Sequence, residues 1–173
     1  LAMPNYLLQN VRKLADFAGK CQVNPATGKV VFGPTYSPEH WSLGRDDGTC
    51  DIAFAQMALK AAIEGAGVLN IDAPLAVRWQ QTLDKLPDYP RTAGENPVVV
   101  DVAGAPPIEY NVPVPALPVY TAGMITWFSP EAERQMFVRT IDKMTFSQHN
   151  AMIILAGTRA RLEPDPPAMF LHD

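Results

Sequence analysis

Residues 49 to 71, TCDIAFAQMALKAAIEGAGVLNI, constrain this chain more than any other stretch. Ile52, Ala55, Leu59, Ala62, Ile63 and Ala66 recur at steps of three and four, which stacks them on one face of an α-helix. Thr49 or Asp51 suits the N-cap, because a short side-chain oxygen satisfies an amide that the first helical turn leaves unpaired. A long helix with one apolar stripe needs other elements to cover that stripe, and the remaining sequence is read as what packs there.

Leu7, Leu8, Val11, Leu14, Ala15 and Ala18 predict an amphipathic helix over residues 4 to 19, with Pro4 in its first turn and Gly19 near its end. The run CQVNPATGKVVF sets two short apolar segments around Asn24-Pro25-Ala26-Thr27-Gly28, a β-hairpin pattern. Asp72 caps a shorter helix over 74 to 86, in which Trp79 is read as core. PVVVDV and PIEYNV carry the β-branched content of two short strands. VPVPALPVYTAG reads as extended and polyproline-like. Ser129 then caps a helix with Pro130 at its first position and Met136, Phe137, Thr140 and Ile141 on its buried face; Trp127 staples its entry. A last helix covers about 150 to 162 and stops before Pro164.

This order predicts a mainly α fold: a partial (α/α) toroid of antiparallel helix pairs, with a small β-hairpin and short irregular strands. At 173 residues the chain is long enough for one domain with a substantial core, and residues 1 to 173 are read as that single domain. A net charge of −4, with Lys and Arg scattered, gives no electrostatic footprint for nucleic acid. No membrane is expected as partner, since no apolar stretch is read as reaching the roughly 20 residues of a bilayer span. The chain opens LAMPNYLLQ without an initiator Met, so a processed, engineered or excised segment is expected. Cys21 and Cys50 form one disulfide or stand as two buried thiols, and so sparse a pair favours the thiols. His40, His149 and His172 show no metal-ligand spacing with them, and no phosphate-cradling or dinucleotide motif occurs; no metal and no cofactor are expected.

Ser-Pro-Glu occurs twice. In FSPEAE, residues 128 to 133, capping chemistry explains every residue and Glu131 needs no further role. In TYSPEHWSLGRDDGT no helical stripe follows Glu39, and the segment falls in a loop from Gly33 to Gly48, longer than most loops inside a domain. A carboxyl group beside Tyr36 and Trp41 is open to desolvation, which raises its pKa and suits proton donation. Aromatic rings beside an acid also suit the C–H faces of sugars. A structural loop is the alternative reading of the same residues, with Trp41 in the core and Asp51 as a helix cap.

The run GKCQVNPATGKVVFGPTYSPEHW, continuing through DGTCDIAFAQMALKAAIEGAGVLNID, resembles the middle of the (α/α)6 barrel of the α-L-fucosidase-like inverting glycoside hydrolases. LDKLPDYP, VPALPVYTAG and RTIDKMTFSQHNAMIILAGTRARL are similar to later segments of that family. The resemblance implies that Glu39 is the general acid of an inverting glycosidase acting on an oligosaccharide or glycoside. On that reading Tyr36, His40 and Trp41 shape the sugar pocket, and Asp51, where it is not a helix cap, orders the loop or contacts the sugar. The family's base is an Asp in Asp-Gly-Asn. This chain has Asp47-Gly48-Thr49, so the resemblance places no base within it. It also implies that these residues are about half of the barrel, a fragment that pairs with the missing part or forms a homodimer. A periplasmic or extracellular location goes with the family. A non-catalytic helical module that binds carbohydrate or a partner protein is the alternative function.

Overall fold

A computed structural model describes residues 3–38, 45–107, 112–144 and 149–163, with side chains described from residue 9 and, in the last segment, from residue 151. The chain is mainly α, with one two-stranded antiparallel sheet among the described residues. In order it contains α1 (Met3–Ala18), β1 (Gln22–Val23), β2 (Val30–Val31), α2 (Thr49–Leu69), α3 (Ala73–Leu83), a 3-10 turn (Val114–Ala116), α4 (Leu117–Tyr120), α5 (Glu131–Asp142) and α6 (His149–Leu162).

The apolar stripe of α2 organises the packing. Ile52, Leu59, Ala62 and Ala66 are buried, and α1, α3, α4 and the 3-10 turn all contact this helix. Its small residues let neighbours approach closely. The helix ends at Asn70 in the left-handed conformation (φ 52°), which lets the Ile71 N–H return to the Ala66 carbonyl at 3.0 Å. By length and composition α2 is apolar enough to cross a membrane, contrary to the expectation that no segment would be. Asp51, Lys60 and Glu64 are too few to offset its alanine, leucine and isoleucine. The helix contacts α1 and α3, and 33% of its apolar window is buried.

Trp79 of α3 is buried, as its stripe predicts, and its Nε1–H donates to Asp16 Oδ1 of α1 at 3.1 Å. That bond satisfies the one polar atom of a side chain whose burial contributes roughly 2 to 3 kcal/mol. Met136, Phe137, Thr140 and Ile141 form the buried face of α5. Phe137 meets the ring of Tyr89 edge to face, centroids 6.0 Å apart. Arg159 of α6, 5% exposed, is held by Asp142 and by Glu163 at 2.8 Å. The hairpin forms where Asn24-Pro-Ala-Thr-Gly predicts, with Val23 opposite Val30; Asn24 Oδ1 accepts the Ala26 N–H at 2.9 Å.

Several local expectations are corrected. PVVVDV is not a strand: it makes a single antiparallel bridge, Val99 to Arg91. Residues 98 to 102 are all buried, whereas a two-faced strand would alternate, and the Val99 N–H donates to Thr140 Oγ1 of α5 at 2.9 Å. PIEYNV falls largely outside the described residues. VPVPALPVY is not extended polyproline but a 3-10 turn leading into α4, because its Val, Leu and Pro side chains are buried against α2 and α6. Neither Thr49 nor Asp51 caps α2. Gly48 is the N-cap, and the Thr49 hydroxyl donates instead to the Val100 carbonyl at 2.6 Å. Asp72 precedes α3 without a capping bond, since its carboxylate pairs with Arg12. Ser129 is not the cap of α5: Pro130 holds that place, and Ser129 Oγ accepts the Thr126 N–H at 3.0 Å. Trp127 stays 44% exposed, with the Arg134 guanidinium 4.1 Å from its ring centre.

Candidate functional site

Of the expected site residues, Glu39, His40 and Trp41 lie outside the described residues. Tyr36 and Asp51 are described, as are both flanks of the loop that carries the acid. Those flanks are tied to each other. The Phe32 N–H donates to Asp47 Oδ1 at 2.8 Å, the Asp47 N–H returns to the Phe32 carbonyl at 2.9 Å, and the Thr35 N–H donates to the Arg45 carbonyl at 3.1 Å. Asp47 reaches this geometry in the left-handed region, at φ 60°, which a short side chain that bonds locally tolerates.

The flanks are also tied to the buried segment 98 to 104. The Ser37 hydroxyl donates to Asp101 Oδ1, and both residues are 4% exposed. Arg45 Nη1 donates to the Ala103 carbonyl at 2.6 Å, and the Thr49 N–H donates to the Asp101 carbonyl at 2.8 Å. Two glycines make the fit possible. A Cβ at Gly48 would lie 2.7 Å from Thr35 Cγ2, and one at Gly104, where φ is +81°, would lie 2.6 Å from Arg45 Nη1. The loop between Pro38 and Arg45 thus springs from two anchored stems.

Tyr36 stands beside Ser37 and is 74% exposed, an aromatic ring free for stacking at the foot of the loop. Asp51, in the first turn of α2, carries a buried Oδ2 with no hydrogen-bond partner. Its charge acts on Asp47, together with that of Asp46, and on Cys50, together with that of Asp101. Burial pushes the Asp47 carboxyl up, the Phe32 N–H partly offsets this, and the charges of Asp46 and Asp51 add to it. Burial also pushes up the Cys21 thiol, helped by the Asp51 charge.

Both cysteines are free. Burial first, and then the charges of Asp51 and Asp101, push the Cys50 thiol from 9.0 up to about 11. Two pH units reduce the thiolate, the reactive form, about 100-fold near neutrality. Iodoacetamide near pH 8 is therefore expected to alkylate Cys50 in the native protein about 100-fold more slowly than in the urea-unfolded chain. Equal rates would mean that the thiol is not buried beside these acids. Because the folded value lies above the unfolded one, the neutral thiol contributes stability that is complete below about pH 9 and lost as pH rises through about 11.

Sequence reasoning missed Ser37, Arg45 and Asp101 as anchors. One signal was available: Asp101 is a lone acid inside the β-branched run VVVDV, where burial demands a hydrogen-bond donor. A second feature had no local signal. Leu14 and Phe17 of α1, Phe32, and Phe54 and Met57 of α2 line a cleft of about 310 Å³ that also includes Asp51. Among the described residues no group of three or more His, Cys, Asp or Glu side chains is arranged to hold a metal ion.

A scan of protein-family models finds no match to this chain, and a search of curated proteins finds no relative.

Proposed function

We propose that this chain is the acid-bearing segment of an inverting glycoside hydrolase, with Glu39 donating the proton to the leaving glycosidic oxygen. The observation that supports this reading is the double anchorage of the loop. Ser37 and Arg45, on either side of Glu39, are both bonded to the segment around Asp101, through one buried hydroxyl–carboxylate bond and one guanidinium–carbonyl bond. A proton donor must be held within about 0.5 Å of its working position, and stems fixed in this way suit that demand.

In this proposal Tyr36 offers a stacking surface, His40 and Trp41 complete the sugar pocket, and Asp51 contacts substrate hydroxyls. Asp47 and Asp101 are poor candidates for the base. Asp101 is buried and engaged by Ser37, and Asp47 accepts the Phe32 N–H. In the proposal the carboxylate that activates water across the sugar, about 6.5 to 9.5 Å from the acid, is supplied by the rest of the barrel. The six helices are then part of an (α/α)6 toroid, completed by further chain or by a second copy.

The test is hydrolysis of a panel of aryl and alkyl glycosides by the polypeptide that carries this chain, with and without Glu39→Gln. Loss of alkyl glycoside cleavage in the variant is the expected result. Equal cleavage by both would remove Glu39 from the reaction. A carbohydrate-binding module is the second reading, favoured by the exposed Tyr36 ring. It predicts sugar binding by titration calorimetry that weakens in Tyr36→Ala, with no turnover by either protein.

A further inference from the structure

We propose that the groove between the end of α1, the hairpin and the stems of the Glu39 loop binds an uncharged sugar residue, so that the ligand is a neutral oligosaccharide spanning groove and loop. This inference rests on the sugar reading of that loop and adds the charge and length of the ligand.

The groove has a volume of about 470 Å³, within the range of small-molecule sites. Its lining includes Phe17 of α1, Lys20 just beyond that helix, Gln22 of β1, and Gly33, Pro34 and Asp46. The last three belong to the stems of the loop. The Asp47 N–H returns to the Phe32 carbonyl at 2.9 Å and the Thr35 N–H donates to the Arg45 carbonyl at 3.1 Å, so Gly33 and Pro34 run beside Asp46. The groove therefore adjoins the foot of the loop. Tyr36, two residues beyond Pro34 on the same stem, is exposed there.

Phe17 is 67% exposed and offers a flat apolar surface to C–H groups. With it in the lining are polar side chains in want of partners: among the described residues Lys20, Gln22 and Asp46 make no side-chain hydrogen bond and no ion pair. An amine, an amide and a carboxylate supply both donors and acceptors. Lys20 and Asp46 carry opposite charges, so the lining has no net charge; an anion would meet Asp46 and a cation would meet Lys20. Cys21, also in the lining, adds no charge at neutral pH, because burial and the charge of Asp51 push its thiol up. A hydrocarbon would cover the ring but strip water from the polar groups and give nothing in return. A sugar ring satisfies both features. Its C–H face covers Phe17, and its hydroxyls bond the amine, the amide and the carboxylate.

The test is amide chemical-shift titration of the whole chain with maltotriose, cellotriose and xylotriose, and with trigalacturonate and the protonated glucosamine trimer as charged counterparts. At least one neutral trisaccharide is expected to shift the amides of Lys20, Gln22 and Gly33 together with that of Tyr36 in a saturable way. It is expected to bind at least about tenfold more tightly than its monosaccharide and than either charged trimer. Phe17→Ala, at an exposed position that tolerates change, is expected to weaken that trisaccharide about tenfold, and Phe17→Tyr, which keeps the ring, to bind it as the unaltered chain does. Asp46→Asn removes the negative charge of the lining and is expected to tighten trigalacturonate binding. The proposal is overturned if no neutral trisaccharide binds, if a charged trimer binds as tightly, if the shifts stay at Tyr36 and Ser37, or if Phe17→Ala binds unchanged. Glu39→Gln is expected to leave this binding intact. Groove binding without hydrolysis would sink the glycosidase reading alone, and hydrolysis without groove binding would sink this one alone.

Discussion

Replacing Glu39 by glutamine is expected to slow hydrolysis of an alkyl glycoside by about 10² to 10⁴-fold, the usual contribution of a general acid. An alkoxide leaves poorly without a proton, and glutamine fills the same volume but has no proton to give. The effect must therefore depend on the leaving group. A dinitrophenyl glycoside, whose phenolate departs unaided, is expected to lose far less activity in the same variant. That split separates an acid from a residue that only shapes the pocket, because lost shape slows both substrates alike. Rates that fall equally for both substrates would reassign Glu39 to positioning. The measurement belongs in the polypeptide that also supplies the base, since inversion needs both carboxyl groups.

Asp101→Ala is expected to destabilise the fold by about 2 to 4 kcal/mol and to lower the melting temperature by roughly 10 °C. The substitution strips the acceptor from the buried Ser37 hydroxyl and opens a small cavity beside Val100 and Thr49. Ser37→Ala is expected to cost less, about 1 to 2 kcal/mol, because it removes one donor from the carboxylate and leaves no cavity of consequence. In a double-mutant cycle the two losses should not add, which is the signature of a direct bond. Hydrogen exchange gives the local readout. The amides of Thr35 and Asp47, protected by the stem bonds to Arg45 and Phe32, are expected to exchange faster in Asp101→Ala than those of α5. Additive losses, or unchanged stem protection, would mean that the loop is held by something other than Asp101.

Of the fold, the helices other than α4 were legible, because the long ones carry their own record of burial. The stripes of α1, α2 and α5 repeat at helical spacing, and the turn Asn24 to Gly28 contains the chemistry that closes a hairpin. The helix starts were read less well. Ser129, Thr49 and Asp72 have the side chains of caps, yet their oxygens go to Thr126, Val100 and Arg12, partners that no local rule foresees. The segment 98 to 102 failed for the same reason. β-branched residues suit a strand, but here the backbone amide of Val99 finds a threonine on α5 and the pairing with residues 90 to 92 stops at the single bridge to Arg91.

The sequence by itself determined the mainly α class, the position of its central helix, and the helix that starts at the second Ser-Pro-Glu motif. Periodicity and turn chemistry act over a few residues, so they can be read in order along the chain. Only the tertiary structure decided that the loop between Pro38 and Arg45 is anchored at both stems, and that α1 and α2 leave an aromatic cleft between them. Ser37 and Asp101 are far apart in sequence, as are Phe17 and Phe54. Such pairs meet only when packing of the whole core brings them together, and nothing in the residues between them records the meeting.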